Sequence, residues 1–269
     1  MCGTMNVLRF FQRFKATIRP AMTYAPRVGM QSAETSHQGC VRKRNEDSIL
    51  SCPHLGLWAV ADGMGGHLAG DYASQHIVSV LNELSFDALT TQGLQAVEHI
   101  LRQAHDTIHH YSRDTLGGKT VGSTVCVLLL DDEKAHCLWM GDSRIYRYRQ
   151  GHLEALTRDH SQAFELLERG VLSPSEVDTH PSSHVLTRAM GCGEFILDYS
   201  SHTLEKGDIF LLCSDGLYGA LTRAEIESNI ASKAVGESVT ALLQQALEKG
   251  ARDNVSLIRV DTATNTRVH

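Results

Sequence analysis

Six acidic residues stand where short apolar runs begin or end. Asp62 closes Leu57-Trp58-Ala59-Val60-Ala61, Asp142 follows Cys137-Leu138-Trp139-Met140-Gly141, and Asp215 follows Ile209-Phe210-Leu211-Leu212-Cys213-Ser214. Asp253 opens Asn254-Val255-Ser256-Leu257-Ile258, and Glu46 and Asp47 stand just before Ile49-Leu50. A single Asp at a strand end is ordinarily a turn former. Several carboxylates gathered on one rim repel one another unless a cation neutralises them, and an all-oxygen set suits Mn²⁺ or Mg²⁺ better than Zn²⁺. Two such ions can share a water, lower its pKa and present hydroxide in line with a phosphoryl group. Arg42, four residues before Glu46, has the planar fork that grips a phosphate with two hydrogen bonds. The plainer alternative makes it part of a solvated basic run, Arg42-Lys43-Arg44.

Other phosphotransfer designs fail on spacing. None of the seven cysteines has an Arg six positions later, so there is no Cys-x5-Arg phosphate loop. Gly118-Lys119-Thr120 imitates the end of a nucleotide-binding loop, but Arg113 occupies the place of its first glycine. No G-x-S-x-G elbow and no H-E-x-x-H occurs, and Ser143 and Ser214 lack a paired base, so they read as hydrogen-bonding turn residues.

The elements that must position these acids are legible from residue 48 onward. Segments 48–52, 56–61, 123–130, 135–140, 144–149, 208–213 and 254–260 are short and rich in Val, Ile, Leu and aromatics, which predicts strands. Asp131-Asp132-Glu133-Lys134 and Gln150-Gly151 predict hairpin turns and antiparallel pairing. Helical spacing places Ala73, Ile77, Val80, Leu81 and Leu84 on one face; Leu94, Val97, Leu101, Ala104 and Ile108 on another; and Val239, Leu242, Leu243, Ala246 and Leu247 on a third. Thr222 to Glu225 and Ser173 to Glu176 have the form of capping boxes that open helices, and Gly170 and Gly250 suit helix ends. Hairpins plus one-faced helices predict an α+β domain in which helices cover sheets.

Composition bounds the remainder. A chain of 269 residues with 42% hydrophobic content can bury a substantial core. Cysteines in apolar runs without a C-x-x-C pair argue against a disulfide framework or a zinc site, and they point to a reducing, cytoplasmic location. No run approaches the ~18 apolar residues of a membrane span. Five of the 25 basic residues fall within residues 1–33, where no acid stands, so 20 basic residues face 31 acidic ones over the rest. That acidic body argues against nucleic acid as a partner. In the basic leader, residues 1–31, the stretch 6–19 interleaves Phe10, Phe11 and Phe14 with Arg9, Arg13 and Lys15. It can form a short amphipathic helix for weak contact with a membrane or a protein, or be a loose leader.

Taken in order, Arg42-x-x-Asn45-Glu46-Asp47, Val60-Ala61-Asp62-Gly63-Met64-Gly65-Gly66-His67, Gly122-Ser123-Thr124, Gly141-Asp142-Ser143-Arg144, Leu156-Thr157-x-Asp159-His160-Ser161, Leu186-Thr187-Arg188-Ala189-Met190-Gly191, Ser214-Asp215-Gly216-Leu217 and Asp253-Asn254 resemble the motifs of the metal-dependent protein phosphatase 2C family, in its bacterial form. The resemblance covers about residues 32–261, followed by a tail, 262–269. It implies two central, mainly antiparallel β-sheets flanked by helices, with two tightly held Mn²⁺ or Mg²⁺ ions. The implied activity is hydrolysis of phosphoserine and phosphothreonine in proteins phosphorylated by a serine/threonine kinase, by a monomer. By similarity Asp62 bridges the two ions and Gly63 offers its carbonyl. Asp215 and Asp253 bind the first ion, Glu46 and Asp47 hold ion-bound water, and Arg42 binds phosphate. Residues 158–185 correspond to a flap, and Asp142 with Asp215 to a third, weaker ion site. Met64 departs from the animal members, whose His there is proposed as general acid, so the proton donor is unassigned; His67 is near in sequence but suits packing or capping equally well. A small phosphoester substrate and a non-catalytic phosphoprotein-binding module are the competing functions.

Overall fold

The computed structural model describes residues 30–65 and 69–262. The leader stretch 6–19, His67 and nearly all of the tail therefore lie outside the described residues. Eleven strands and seven helices follow in the described chain: β1 Gln31–His37, β2 Asp47–Cys52, β3 Leu57–Met64, α1 Ala69–Asn82, α2 Phe86–Gln92, α3 Leu94–Thr115, β4 Gly122–Ser123, β5 Val125–Leu130, β6 Lys134–Met140, β7 Arg144–Arg149, β8 His152–Ala155, α4 Gln162–Glu168, β9 Asp198–Thr203, β10 Ile209–Cys213, α5 Asp215–Tyr218, α6 Arg223–Ser232, α7 Val235–Glu248 and β11 Val255–Asp261. One sheet runs β1-β11-β10-β7-β8 and the other β2-β3-β5-β6-β9, with β4 paired to β3. Every pairing is antiparallel.

The strands read as continuous apolar runs because the pleat sends alternate residues into two separate cores. On β3, Trp58 and Val60 enter the layer between the sheets, while Leu57, Ala59 and Ala61 face α1, α2 and α3. On β10, Phe210 and Leu212 enter the same central layer, while Leu211 and Cys213 meet α6 and α7. The result is helices, sheet, sheet, helices, as expected. The stripe predicted for α3 is buried; those of α1 and α7 are buried at Ala73, Ile77, Leu81, Val239, Leu242 and Ala246 and half-buried at Val80, Leu243 and Leu247, Leu84 lying just past α1. Thr222 with Glu225 forms the capping box that starts α6. Gly170 and Gly250, at φ 71° and 76°, follow the ends of α4 and α7 in the left-handed region where glycine is least strained.

One start signal did not yield its helix. Ser173 does hydrogen-bond the Glu176 carboxylate from its backbone N–H and its hydroxyl. Only a 3-10 turn, Val177–Thr179, follows, because no apolar stripe extends beyond it: Val177 is the buried residue there and a Pro arrives at 181. Gln150-Gly151 makes the expected turn, with φ 51° and 82°, and returns the chain as β8.

Phe210 is fully buried between the sheets. Phe210→Ala should destabilise the fold by about 3–5 kcal/mol, read as a lowered urea midpoint with little change in slope. A loss below about 1 kcal/mol would contradict the central layer described here.

Candidate metal centre

Asp47 and Asp62 are direct cross-strand partners at the same end of β2 and β3. Directly opposed like charges destabilise a sheet unless something compensates them. The backbone of Asp62 is fixed on both sides: its N–H donates to the Thr124 hydroxyl at 3.0 Å, and its carbonyl accepts from Thr124 N–H at 2.8 Å and from Ser123 Oγ at 2.9 Å. Thr124 in turn shares a 2.6 Å hydrogen bond with Ser143, next to Asp142. Ser214 Oγ donates to Asp47 Oδ2 at 2.7 Å, which links the two sheets beside Asp215, and Ser256 N–H donates to Ser214 Oγ. Both serines thus act as hydrogen-bonding residues.

Asn254 joins the remaining parts. Its Oδ1 accepts from Glu46 N–H at 2.8 Å, and its Nδ2 donates to the carbonyls of Gln38 and Arg44 at 3.0 and 2.8 Å. The Glu46 carbonyl accepts from Gly63 N–H and from Ser74 Oγ. Gly63 admits no side chain, since a Cβ there would meet the backbone carbonyls of Gly70 in α1 and of Glu46 just before β2. Asp142 is buried, and its carbonyl accepts from Tyr218 Oη at 3.0 Å. Arg144 stacks on the Tyr218 ring at 3.7 Å and pairs with Asp159 and with Asp178. Segment 158–185 therefore packs against this end of the molecule. A second contact comes from His184, whose Nδ1 lies 3.2 Å from Asp215 Oδ2.

Arg42 does not stand free at the rim: its guanidinium donates to Asp253 Oδ2 at 2.6 Å. Among the described residues, no three carboxylate, imidazole or thiol groups already close on one ion-sized point. Arg42 engages Oδ2 of Asp253 and His184 lies against Oδ2 of Asp215, one oxygen of each carboxylate.

Comparison with known proteins bears on this arrangement. The description "Protein phosphatase 2C" matches residues 35–256. The chain belongs to the protein phosphatase 2C family. It is 31% identical over 232 residues to the serine/threonine protein phosphatase PstP of Mycobacterium tuberculosis, covering 86% of this chain and 45% of that one. The chain thus spans about half the length of those first relatives. Against the serine/threonine phosphatase stp of Listeria monocytogenes it is 29% identical, covering 86% of this chain and 96% of that protein. Among solved structures, PppA of Pseudomonas aeruginosa superposes with a TM-score of 0.77 at 39% identity, covering 87% and 97%. The PstP catalytic domain in complex with two manganese ions superposes at 0.78 with 30% identity, covering 87% and 98%.

Electrostatics test whether this family member's own residues suit divalent ions. Burial pushes the Asp47 carboxyl up to about 6, despite hydrogen bonds from Ser256 and Ser214, with Asp215 and Asp253 adding repulsion. Loss of water, then the charges of Asp47, Asp215, Asp142 and Asp253, raise Asp62 well above the ordinary carboxylate range. Burial, Asp215 and Asp159 do the same to Asp142, and burial with Asp71 raises Glu46. Asp47 Oδ1 and Asp215 Oδ1 are buried without any hydrogen-bond partner. Unpaired buried carboxylate oxygens in mutual repulsion are hard acceptors short of a cation, and the donor set fits Mn²⁺ or Mg²⁺.

His184 and Tyr218 carry no signal a single chain makes visible, whereas Thr124 belongs to the Gly122-Ser123-Thr124 motif. His184 lies 31 positions before Asp215 in a stretch without periodicity, and Tyr218 sits inside an apolar segment.

Carboxylates with raised pKa bind more protons folded than unfolded, so their stabilising effect is complete below pH 4 and lost as pH rises through about 6. In EDTA the melting temperature should fall by roughly 5 °C between pH 5 and pH 7.5, and Asp62→Asn should flatten that fall. Calorimetric scans at the two pH values check it; a wild-type melting temperature independent of pH in EDTA would show that the acids do not repel.

Proposed function

We propose that this chain is a metal-dependent protein serine/threonine phosphatase acting on phosphoserine and phosphothreonine residues of other proteins. The observation that carries the reading is the set Asp47, Asp62, Asp142, Asp215 and Asp253, crowded at one end of both sheets with Arg42 beside them. Support comes from relatives that are named serine/threonine phosphatases and from the two manganese ions of the PstP structure. Glu46, Asp47, Asp62, Asp215, Asp253 and the Gly63 carbonyl would hold two ions, directly or through water. Bound Mn²⁺ or Mg²⁺ supplies the positive charge these acids lack and makes a water acidic enough to attack phosphorus at neutral pH.

The protein's residues do the rest. Hydroxyls of Thr124, Ser123 and Ser214 fix the acids so that little reorganisation accompanies reaction. Arg42, released from Asp253, would take two phosphate oxygens. We assign residues 158–185 as the flap, and Asp142 with Asp215 as the site of a third, weaker ion. A monomer in the cytoplasm completes the proposal; the six described cysteines are free thiols, and among the described residues no helix is long and apolar enough to cross a membrane.

Activity on a phosphothreonine peptide should vanish in EDTA and return with Mn²⁺ or Mg²⁺, and in that titration Asp142→Ala should need more Mn²⁺ than wild type. Full turnover after exhaustive chelation would sink the reading. Cleavage of free nucleotides with none of phosphopeptides would favour a small phosphoester instead. Arg42→Ala should raise KM for the peptide by about 10-fold while the metal requirement stays put. Steady-state kinetics decide it, and an unchanged KM would return Arg42 to the solvated surface.

A further inference from the structure

The arginines among the described residues are almost all paired. Arg102, Arg113, Arg144, Arg147, Arg149, Arg158, Arg169, Arg188 and Arg259 each meet a carboxylate, Arg42 meets Asp253, and Arg223 meets His152. Among the described arginines, only Arg44 and Arg252 make no side-chain hydrogen bond or ion pair, and both are exposed; Glu46 feels the charge of Arg44 without contact between the two side chains.

These two are brought together by the fold. Cys40 N–H donates to the Ala251 carbonyl at 2.8 Å, and Asn254 Nδ2 donates to the Arg44 carbonyl at 2.8 Å. The 38–46 loop is therefore laid against the 250–254 turn, and the Arg42–Asp253 pair lies between them. Gly39, at φ 75°, permits the contact: a Cβ there would collide with the Asp253 carbonyl. Arg44 and the exposed Lys43 on one of these pinned segments and Arg252 on the other thus stand, by backbone position, as a basic rim beside the proposed phosphate contact. The chain beyond residue 33 is acidic, with 20 basic residues, these three included, against 31 acidic.

We propose that this rim selects phosphoprotein segments carrying acidic residues, or a second phosphate, beside the residue to be dephosphorylated. The proposal rests on the phosphoprotein reading above and adds the substrate's flanking chemistry. Two arginines whose side chains make no internal hydrogen bond leave their donors available to carboxylate or phosphate oxygens. The net negative charge of the chain disfavours an acidic segment on average, so a basic loop steers its approach as well as holding it. A rigid backbone beneath long side chains limits the entropy lost on contact.

The experiment compares kcat/KM for three phosphothreonine peptides of one length, with acidic, neutral and basic flanks, on the full chain at low salt. The acidic peptide should exceed the neutral one by about 5-fold, an advantage that shrinks at 0.5 M NaCl. Arg44→Gln with Arg252→Gln should erase that advantage while leaving para-nitrophenyl phosphate turnover and melting temperature unchanged. A charge-reversed pair, Arg44→Glu with Arg252→Glu, should invert it. Equal kcat/KM for all three peptides, or preference for the basic one, overturns the rim's role with the phosphatase reading intact. Hydrolysis of para-nitrophenyl phosphate with none of any peptide overturns both. Competition by a single-stranded oligonucleotide at lower concentration than by an unphosphorylated acidic peptide also overturns it.

Discussion

Asp47 and Asp62 face each other across two hydrogen-bonded strands, with Asp215, Asp142 and Asp253 close enough to add to their repulsion. Carboxylates removed from water resist ionisation, and ionised neighbours in a poorly screened setting resist it further. Left alone, these side chains would take up protons or swing apart. They are held because the segments around them are tied to neighbouring strands, to the opposite sheet or to a helix. Thr124 grips Asp62, Ser214 bridges to Asp47, and Asn254 clasps Gln38, Arg44 and Glu46.

Such an arrangement is affordable only on a stiff platform. Trp58, Trp139 and Phe210 fill the layer between the sheets, and helices seal each outer face, so the strand ends cannot drift apart without opening a core. The basic groups within reach, Arg42 on Asp253 and His184 on Asp215, leave Asp47 Oδ1 and Asp215 Oδ1 buried and unpartnered. Stability given up at one rim is thus converted into affinity for a small hard cation, and the same polarity that suits metal ions suits the phosphate they would activate.

How much of this the chain reveals by itself depends on where each element sits. Central strands such as β3, β5, β10 and β11 are covered on both faces, so their apolar runs stand out. The strands that go unnoticed, β1, β8 and β9, are sheet edges; Gln31–His37 and Asp198–Thr203 are polar because one side faces solvent. At the site, the acids are legible because they punctuate apolar strands, and their order along the chain carries the family resemblance. The contacts that set their chemistry are not legible: Arg42 to Asp253 spans 211 positions and Ser214 to Asp47 spans 167. Ser173 shows the opposite limit, where a correct local capping pattern forms its hydrogen bonds without a helix to follow, because burial and not capping decides whether a helix propagates.

The central claim is that one fold-imposed cluster of repelling acids is completed by divalent ions. Isothermal titration of Mn²⁺ into chelator-stripped protein at pH 7.5 tests it without any substrate. Two tight sites per chain in the wild type, with at least one lost in Asp62→Asn, is the expected result. Absence of tight binding in a folded wild type, or an Asp62→Asn isotherm identical to it, would contradict the account.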